Sequence, residues 1–262
     1  MAFVTGSPEI RAKNPLFSSI LANTMLSVVP GISGAGPSPE KTLLTPILDA
    51  ELITCGKITS MPVRPDTPTG CPTPASITRA VMELCGLSPL FINGGLAHTP
   101  TVPCLDTYGI PGEDPRFRDA VPDAGALFRK GRSIGTFLGS VSDLLVLGEC
   151  VPGGTTTSLC VLRGLGYDAL VSSSYARNPV RMKEEVWSIV NRRIQEGHYR
   201  TPLDIVRCCG DPMIAIAAGI AATYSGSIIL GGGTQMLSVA AVLKGMNLPA
   251  PGIATTCYVR DD

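Results

Sequence analysis

The stretch Gly148 to Leu159, GECVPGGTTTSL, gathers one carboxylate, two adjacent glycines and three threonines between an apolar run, DLLVL, and apolar-periodic text. Glycines let backbone N–H groups approach a ligand closely, and the first turn of a helix carries partial positive charge. Gly153, Gly154, Thr155 and Thr156, with Thr157 beside them, form a candidate anion cradle. The same residues would equally serve a tight strand-to-helix turn capped by threonine. Glu149 at the entrance has the wrong sign for a phosphate. A carboxylate at a strand end can instead accept hydrogen bonds from the two hydroxyls of a ribose. Its plain alternative is a solvated loop acid.

A second loop repeats the pattern. GGGTQM, 231–236, follows the apolar SIIL and opens another helix, with Gly232, Gly233, Thr234 and Gln235 as candidate ligand groups. A third, SSSYARNP, offers Ser173 and Ser174, and Lys183 stands in the first turns of the helix behind it. A lysine there can reach a phosphate as a mobile point charge; most such lysines are only solvated. CGDPM reads as a helix start capped by Asp211. No G-x-x-x-x-G-K-[ST], G-x-G-x-x-G or G-x-S-x-G occurs, and neither His98 nor His198 has a nucleophile motif around it. Walker-type, dinucleotide-fingerprint and triad chemistries are therefore disfavoured.

Lys+Arg and Asp+Glu balance at 21 each, which argues against a nucleic-acid surface or a polybasic membrane patch. Nine cysteines are scattered without a C-x-x-C pair, so no metal site is expected. An odd thiol count without a leader peptide suits reduced cysteines in a cytoplasmic protein. The most apolar run, MIAIAAGIAA, is about half of what a membrane span needs.

The elements that must position these loops fall in two parts. Residues 1–121 are loop-rich, with a strand at 17–23, helices at 45–56 and 75–86, and a strand at 89–94; 28–40, 61–74 and 97–122 read as loops. From Pro122 to Asp262 the pattern is regular. Helix 123–139, strand DLLVLGE, helix 155–164, strand ALVSSS, helix 179–196, TPLDIVRCCG, helix DPMIAIAAGIAATYSG, strand SIILGGG, helix TQMLSVAAVLKG and strand GIATTCYV alternate. Such alternation implies right-handed βαβ units, hence an α/β fold with a parallel sheet flanked by helices, here as one domain over 1–262. Ligands of such sheets bind at the carboxyl ends of the strands. That places the three Gly/Ser/Thr-rich loops on one crevice.

GECVPGGTTTSL, CGDPMIAIAAG, LGGGTQM and VPGISGAGPSPEKTLLTPILDAE together resemble the archaeal branch of the nicotinate-nucleotide:dimethylbenzimidazole phosphoribosyltransferase family, from Asn23 to Val259. The first motif is similar to the family's G-E-x-G-x-G-N-T-T loop, with Pro152 and Gly154 departing from it. The resemblance implies a Rossmann-like sheet with a small helical N-terminal lobe, a homodimer and no cofactor. It implies transfer of phosphoribose from nicotinate mononucleotide to a benzimidazole-like or purine base, an aromatic acceptor, for the lower nucleotide loop of cobalamin-type corrinoids. Lys183 falls where the family's phosphate-contacting lysine falls, and Glu149 is left to the ribose. The family's base pocket corresponds to 68–78, where Thr69 and Thr73 are the candidates. Its general-base glutamate lies in a glycine-rich motif near the C-terminus. No such text follows Gly233, so that residue is expected beyond Asp262 and the catalytic segment is expected to be missing here. Another enzyme of N-glycosidic bonds and a non-catalytic nucleotide-binding protein remain open as alternatives.

Overall fold

A computed structural model describes residues 10–260, apart from 37, 65, 67–69, 71 and 176. The chain runs β1 (Pro15–Ala22), a 3-10 turn (Met25–Val28), α1 (Pro39–Thr42), α2 (Thr45–Cys55), α3 (Ala75–Cys85), β2 (Pro89–Gly95) and β3 (Cys104–Asp106). It continues α4 (Ala124–Val141), β4 (Leu144–Cys150), α5 (Gly154–Gly164), α6 (Val180–Glu196), α7 (Pro202–Cys209) and α8 (Pro212–Thr223). The last elements are β5 (Ser227–Gly231), α9 (Thr234–Gly245), β6 (Gly252–Ala254) and α10 (Cys257–Arg260).

All six strands are parallel, in the order β3-β2-β1-β4-β5-β6. The chain winds outward from β1 in one direction and then, from β4, in the other. The topological switch point, where such sheets bind ligands, lies between β1 and β4.

Alternation along each strand gives the sheet two different faces. Ile20, Ala22, Ile92, Leu145, Leu147 and Leu230 join the main core with α4 and α8. Phe17, Leu21, Phe91, Cys104 and Cys150 join a second cluster with Ala50, Leu52 and Ile53 of α2 and Ala75 and Met82 of α3. This second cluster is the helical N-terminal lobe.

Local sequence explains the boundaries. Pro46 opens α2, and Gly56 and Gly86 end α2 and α3 in left-handed conformation. Thr201 and Asp204 form a reciprocal capping box on α7, and Asp211 caps α8. α4 and α8 approach closely because Gly131 and Gly135 carry no side chain: a Cβ there would lie 2.3 and 2.4 Å from the carbonyl oxygens of Ile216 and Ile220.

Three expectations are corrected. ALVSSS is not a strand: β4 pairs directly with β5, so the sheet has no slot for it. Side chains serve its carbonyls instead, from Arg163 to Ala169, from Asn178 to Val171 and from Lys183 to Ser172. The strand expected over GIATTCYV stops at Ala254, and Cys257–Arg260 form a helical turn. The loop-rich 97–122 contains β3, which completes the sheet edge beside β2.

Candidate active site

The carboxyl ends of β4 and β5 carry two of the predicted loops; the third, SSSYARNP, follows no strand and meets them through Ser172. Glu149 sits at the end of β4, part-buried, and its Oε2 accepts from the Val151 amide at 3.1 Å and from Gln235 Nε2 at 2.8 Å. Burial pushes this carboxyl up to about 7, the charge of Asp211 adds to the push, and the two hydrogen bonds oppose it. Gly232 lies alongside: a Cβ there would be 3.8 Å from Glu149 Oε1.

The two glycine loops differ in what they leave available. In the first, Gly153 is left-handed (φ 79°) and packs on Ser27, while a Cβ on Gly154 would fall 2.0 Å from Gln235 Oε1. The amides of Gly154, Thr156 and Thr157 turn back onto the carbonyls of Val151 and Gly153. Thr156 and Thr157 are fully buried, and Thr157 Oγ1 donates to Asp211 Oδ2 at 2.7 Å. Only Thr155 of the threonine run is half-buried. In the second loop, Gly232 donates to Ala254, and Met236 and Leu237 turn back onto the Gly233 carbonyl as Thr156 and Thr157 do onto Gly153. The amides of Gly233, Thr234 and Gln235 take no acceptor among the described residues, against those of Gly153 and Thr155 in the first loop, so α9 leaves one more amide open than α5.

The strap 171–175 closes over the N-terminus of α9. Ser172 Oγ meets Thr234 Oγ1 at 3.1 Å, and Lys183, almost wholly buried, donates through Nζ to the Ser172 carbonyl at 2.5 Å. Ser173 Oγ accepts from the Tyr175 amide, Ser174 Oγ accepts from Gly34, and Tyr175 donates to the Ser33 carbonyl. The structure thus brings Glu149, Gly232, Gly233, Thr234, Gln235 and Lys183 into one neighbourhood with Ser173 and Ser174 in the strap, and turns Thr156 into the core.

On the lobe side the sequence missed a residue. Asp49 of α2 accepts from Thr73 Oγ1 at 3.1 Å and from Cys150 Sγ at 3.7 Å. Burial pushes its carboxyl up to about 6 against those two bonds. Thr73 is therefore tied to an acid of the site; Thr69 lies outside the described residues. The signal for Asp49 was one of two acids inside the mostly apolar TPILDAELIT; the other, Glu51, has its carboxylate fully engaged by Thr59 and Ser60. Glu149 and Cys150 point to opposite faces of the sheet by strand alternation. Asp49, through Cys150, and Glu149 accordingly flank the end of β4 from its two sides.

Among the described residues no group of three His, Cys, Asp or Glu side chains is placed to hold a metal ion. The described cysteines are free thiols, and no described helix is long and apolar enough to cross a membrane.

No protein-family model matches the chain. A UPF0284 protein of Methanosarcina acetivorans is 39% identical over 278 aligned residues, which cover 100% of this chain and 78% of the relative. A UPF0284 protein of Thermococcus gammatolerans is 43% identical over 94% of this chain and 76% of its own length. The chain belongs to the UPF0284 family. Among solved structures, it resembles the nicotinate-nucleotide-dimethylbenzimidazole phosphoribosyltransferase of Thermus thermophilus, with a TM-score of 0.67 at 16% identity. That likeness covers 89% of this chain and 65% of the Thermus chain, and at such low identity it concerns the fold. This UPF0284 protein therefore has the parallel-sheet architecture expected from its motifs.

Proposed function

We propose that this UPF0284 protein transfers phosphoribose from nicotinate mononucleotide to an aromatic nitrogen base, giving nicotinate and an α-ribazole-type 5′-phosphate for a cobalamin-type lower nucleotide loop. The observation that carries the reading is the placement of Glu149, held by Gln235 between the open amides of α9 and the buried carboxyl of Asp49. In this reading the phosphate rests on the amides of Gly233, Thr234 and Gln235, with Ser173 and Ser174 of the strap and the charge of Lys183 nearby. Gly153, Gly154, Thr155 and Thr156 shape the wall behind Gln235. Glu149 accepts from the ribose hydroxyls. The activity named for the Thermus enzyme and its shared fold support the same chemistry.

The acceptor enters from the lobe side, over Asp49. Its ring nitrogen forms the new bond to the anomeric carbon as the bond to the pyridinium nitrogen breaks. The leaving ring keeps that electron pair, so nicotinate departs without its ring charge and the configuration inverts. The acceptor's surplus ring proton passes to Asp49, whose raised pKa suits a base working near neutrality. A homodimer in the cytoplasm completes the proposal.

The test is incubation with nicotinate mononucleotide and a panel of bases, reading nicotinate release. Base-dependent release, reduced about 10²–10⁴-fold in Asp49→Asn with nucleotide binding retained, is expected. Base-independent release would indicate hydrolysis of the N-glycosidic bond, and binding without release in the wild type would indicate a non-catalytic nucleotide-binding protein. Either result overturns the transferase reading.

A further inference from the structure

The start of α8 joins the two halves of the sheet from behind the site. Pro212, its first residue, packs against Gly95 at the end of β2 and against Gly112: a Cβ on either would lie 3.3 Å from the proline ring. Gly112 is itself hydrogen-bonded to Asn23 and Met25, just past β1. Asp211, the cap of α8, faces the other half. Its Oδ1 accepts from the Ile214 amide at 3.3 Å, and its Oδ2 accepts from Thr157 Oγ1 at 2.7 Å. Thr157 stands in the first turn of α5, the helix that follows β4. Both side chains are wholly buried, so no water competes for their bond. α8 thus holds the ends of β2 and β4, which lie on either side of β1.

From Thr157 the contacts run on to Glu149. Thr157 Oγ1 also lies 3.0 Å from the Gly154 carbonyl, so the tie to Asp211 bears on the first residue of α5. Gly154 has no room to move towards α9, because a Cβ on it would fall 2.0 Å from Gln235 Oε1. Nor does it recede freely: Gly153 packs on Ser27, and the Gly154 amide donates to the Val151 carbonyl at 3.0 Å. Gln235 Nε2 and the Val151 amide are the two donors that hold Glu149. The turn anchored by Thr157 therefore abuts both groups that orient the acid. The titratable groups around Glu149 are Asp211 behind it, Cys150 with Asp49 of α2 across the sheet, and Lys183 of α6 on the side of the strap.

We propose that Asp211 is a positioning residue for Glu149: by fixing Thr157 it sets the first turn of α5 against Gln235 and Val151, which aim the acid at the ribose. The inference rests on the transferase reading for what Glu149 binds. Asparagine is the instructive replacement, because it caps a helix as well as aspartate does. With Oδ1 left on the Ile214 amide, its Nδ2 donates to Thr157 Oγ1, whose own proton then goes to the Gly154 carbonyl. The tie survives and only the charge is lost. Thr157→Val does the opposite: it keeps the shape of the side chain and removes the tie.

The experiment titrates the Glu149 carboxyl directly, by carbon NMR of the ligand-free full chain carrying labelled glutamate, with the signal assigned by its loss in Glu149→Gln. Nicotinate mononucleotide affinity and nicotinate release are measured alongside. Thr157→Val should raise the Glu149 midpoint, now about 7, by about one pH unit, because a loosened Gln235 withdraws a bond from the charged form. Nucleotide affinity should fall about five- to tenfold near neutral pH and recover in alkali. Thr157→Ser should leave both readouts unchanged. Asp211→Asn should bind the nucleotide at least as tightly and lower the midpoint, since a like charge is gone. Adding Thr157→Val to Asp211→Asn should raise the midpoint again by a similar step. If Thr157→Val alone does not fold, that pair decides, because in it no buried charge loses a partner. Combined with Gln235→Leu, Thr157→Val should add little. A Glu149 midpoint that Thr157→Val leaves unmoved in both backgrounds, or an affinity loss uniform across pH, overturns the inference. A shifted midpoint without nicotinate release from the unaltered chain would leave Asp211 in its role and remove the transferase reading. Release with an unmoved midpoint would do the reverse.

Discussion

Gln235 Nε2 donates to Glu149 Oε2 at 2.8 Å across 86 residues of sequence, tying the first turn of α9 to the end of β4. Gln235→Leu removes one of the two bonds that hold the Glu149 carboxyl down, so its pKa should climb above the present value of about 7. Ribose binding needs the carboxylate form. Nicotinate mononucleotide affinity should therefore fall most at pH 6.5–7.5 and recover at higher pH, with a loss on the order of 1.5–3 kcal/mol. Calorimetric titration at several pH values checks this. A uniform loss at all pH values would remove Gln235 from control of Glu149.

Gly154→Ala should mimic that change from the opposite side. Its Cβ would overlap Gln235 Oε1, the mobile end of a side chain, so the amide must swing away while the backbone stays. Affinity should drop as in Gln235→Leu, and the double variant should lose little more than either single one. Additive losses would mean that the glycine acts directly on the ligand.

The acid side of the activity profile should belong to Asp49. Below about pH 6 its carboxyl is protonated and cannot accept the acceptor's proton. The rate at saturating nucleotide should therefore fall through that pH, and Asp49→Asn should abolish this limb along with most of the rate. Thr73→Val removes a bond to the carboxylate form and should move the limb upward in pH. A limb that stays put in Thr73→Val would separate the two residues.

Stability should decline with rising pH. Glu149, Asp49 and Asp211 are all pushed up by burial, to about 7, 6 and 6. The folded state thus holds their protons at pH values where the unfolded chain has released them. Their favourable contribution is full near pH 4 and is lost as pH rises through 6 and 7. Glu51 acts in the other direction: its bonds to Ser60 and Thr59 hold it down to about 2, so its stabilisation disappears only as pH falls through roughly 4 towards 2. On these four groups the stability should peak near pH 4. Glu149→Gln should raise the free energy of unfolding at pH 8, by on the order of 1–3 kcal/mol, and barely at pH 4.

On α4, two glycine-to-alanine changes should have opposite results. Gly131→Ala drives a Cβ into the Ile216 carbonyl of α8 and should cost about 1–3 kcal/mol or more. At Gly125 the nearest atom to an added Cβ is Arg129 Nη1 at 3.7 Å, and alanine should be neutral or stabilising by about 0.5–1 kcal/mol. Thermal melts of both variants check the pair.

Proline and glycine punctuation made β1, α2, α3 and β2 legible, and the strand–glycine–helix pattern made β4–α5 and β5–α9 legible. ALVSSS misled because its composition is that of a strand. Whether it pairs depends on a neighbouring edge, which local sequence does not carry. β3 escaped because three residues among prolines show no period. That the two glycine loops meet, through Gln235 and Glu149, follows from their places at neighbouring strand ends. That the Gly154 amide bonds back to Val151, whereas the Thr234 amide takes no acceptor among the described residues, depends on loop geometry that the motifs do not carry. Asp49 was invisible because an acid on a helix reads as solvated until the strand packed against it is known.

The pairing of β1 with β4 has a consequence for how the molecule is made. Phe17 lies opposite Val146, 129 positions later in the chain. While the first hundred residues leave the ribosome, β1 can pair with β2, yet its other edge stays unpaired. Closing so long a loop is slow, and an unpaired edge invites pairing with the wrong strand. The place where the two halves of the sheet meet is thus both where the ligand is expected and where synthesis is most exposed to misassembly. Nascent chains ending before Leu144 should depend on chaperones in a way that chains extending past Cys150 do not.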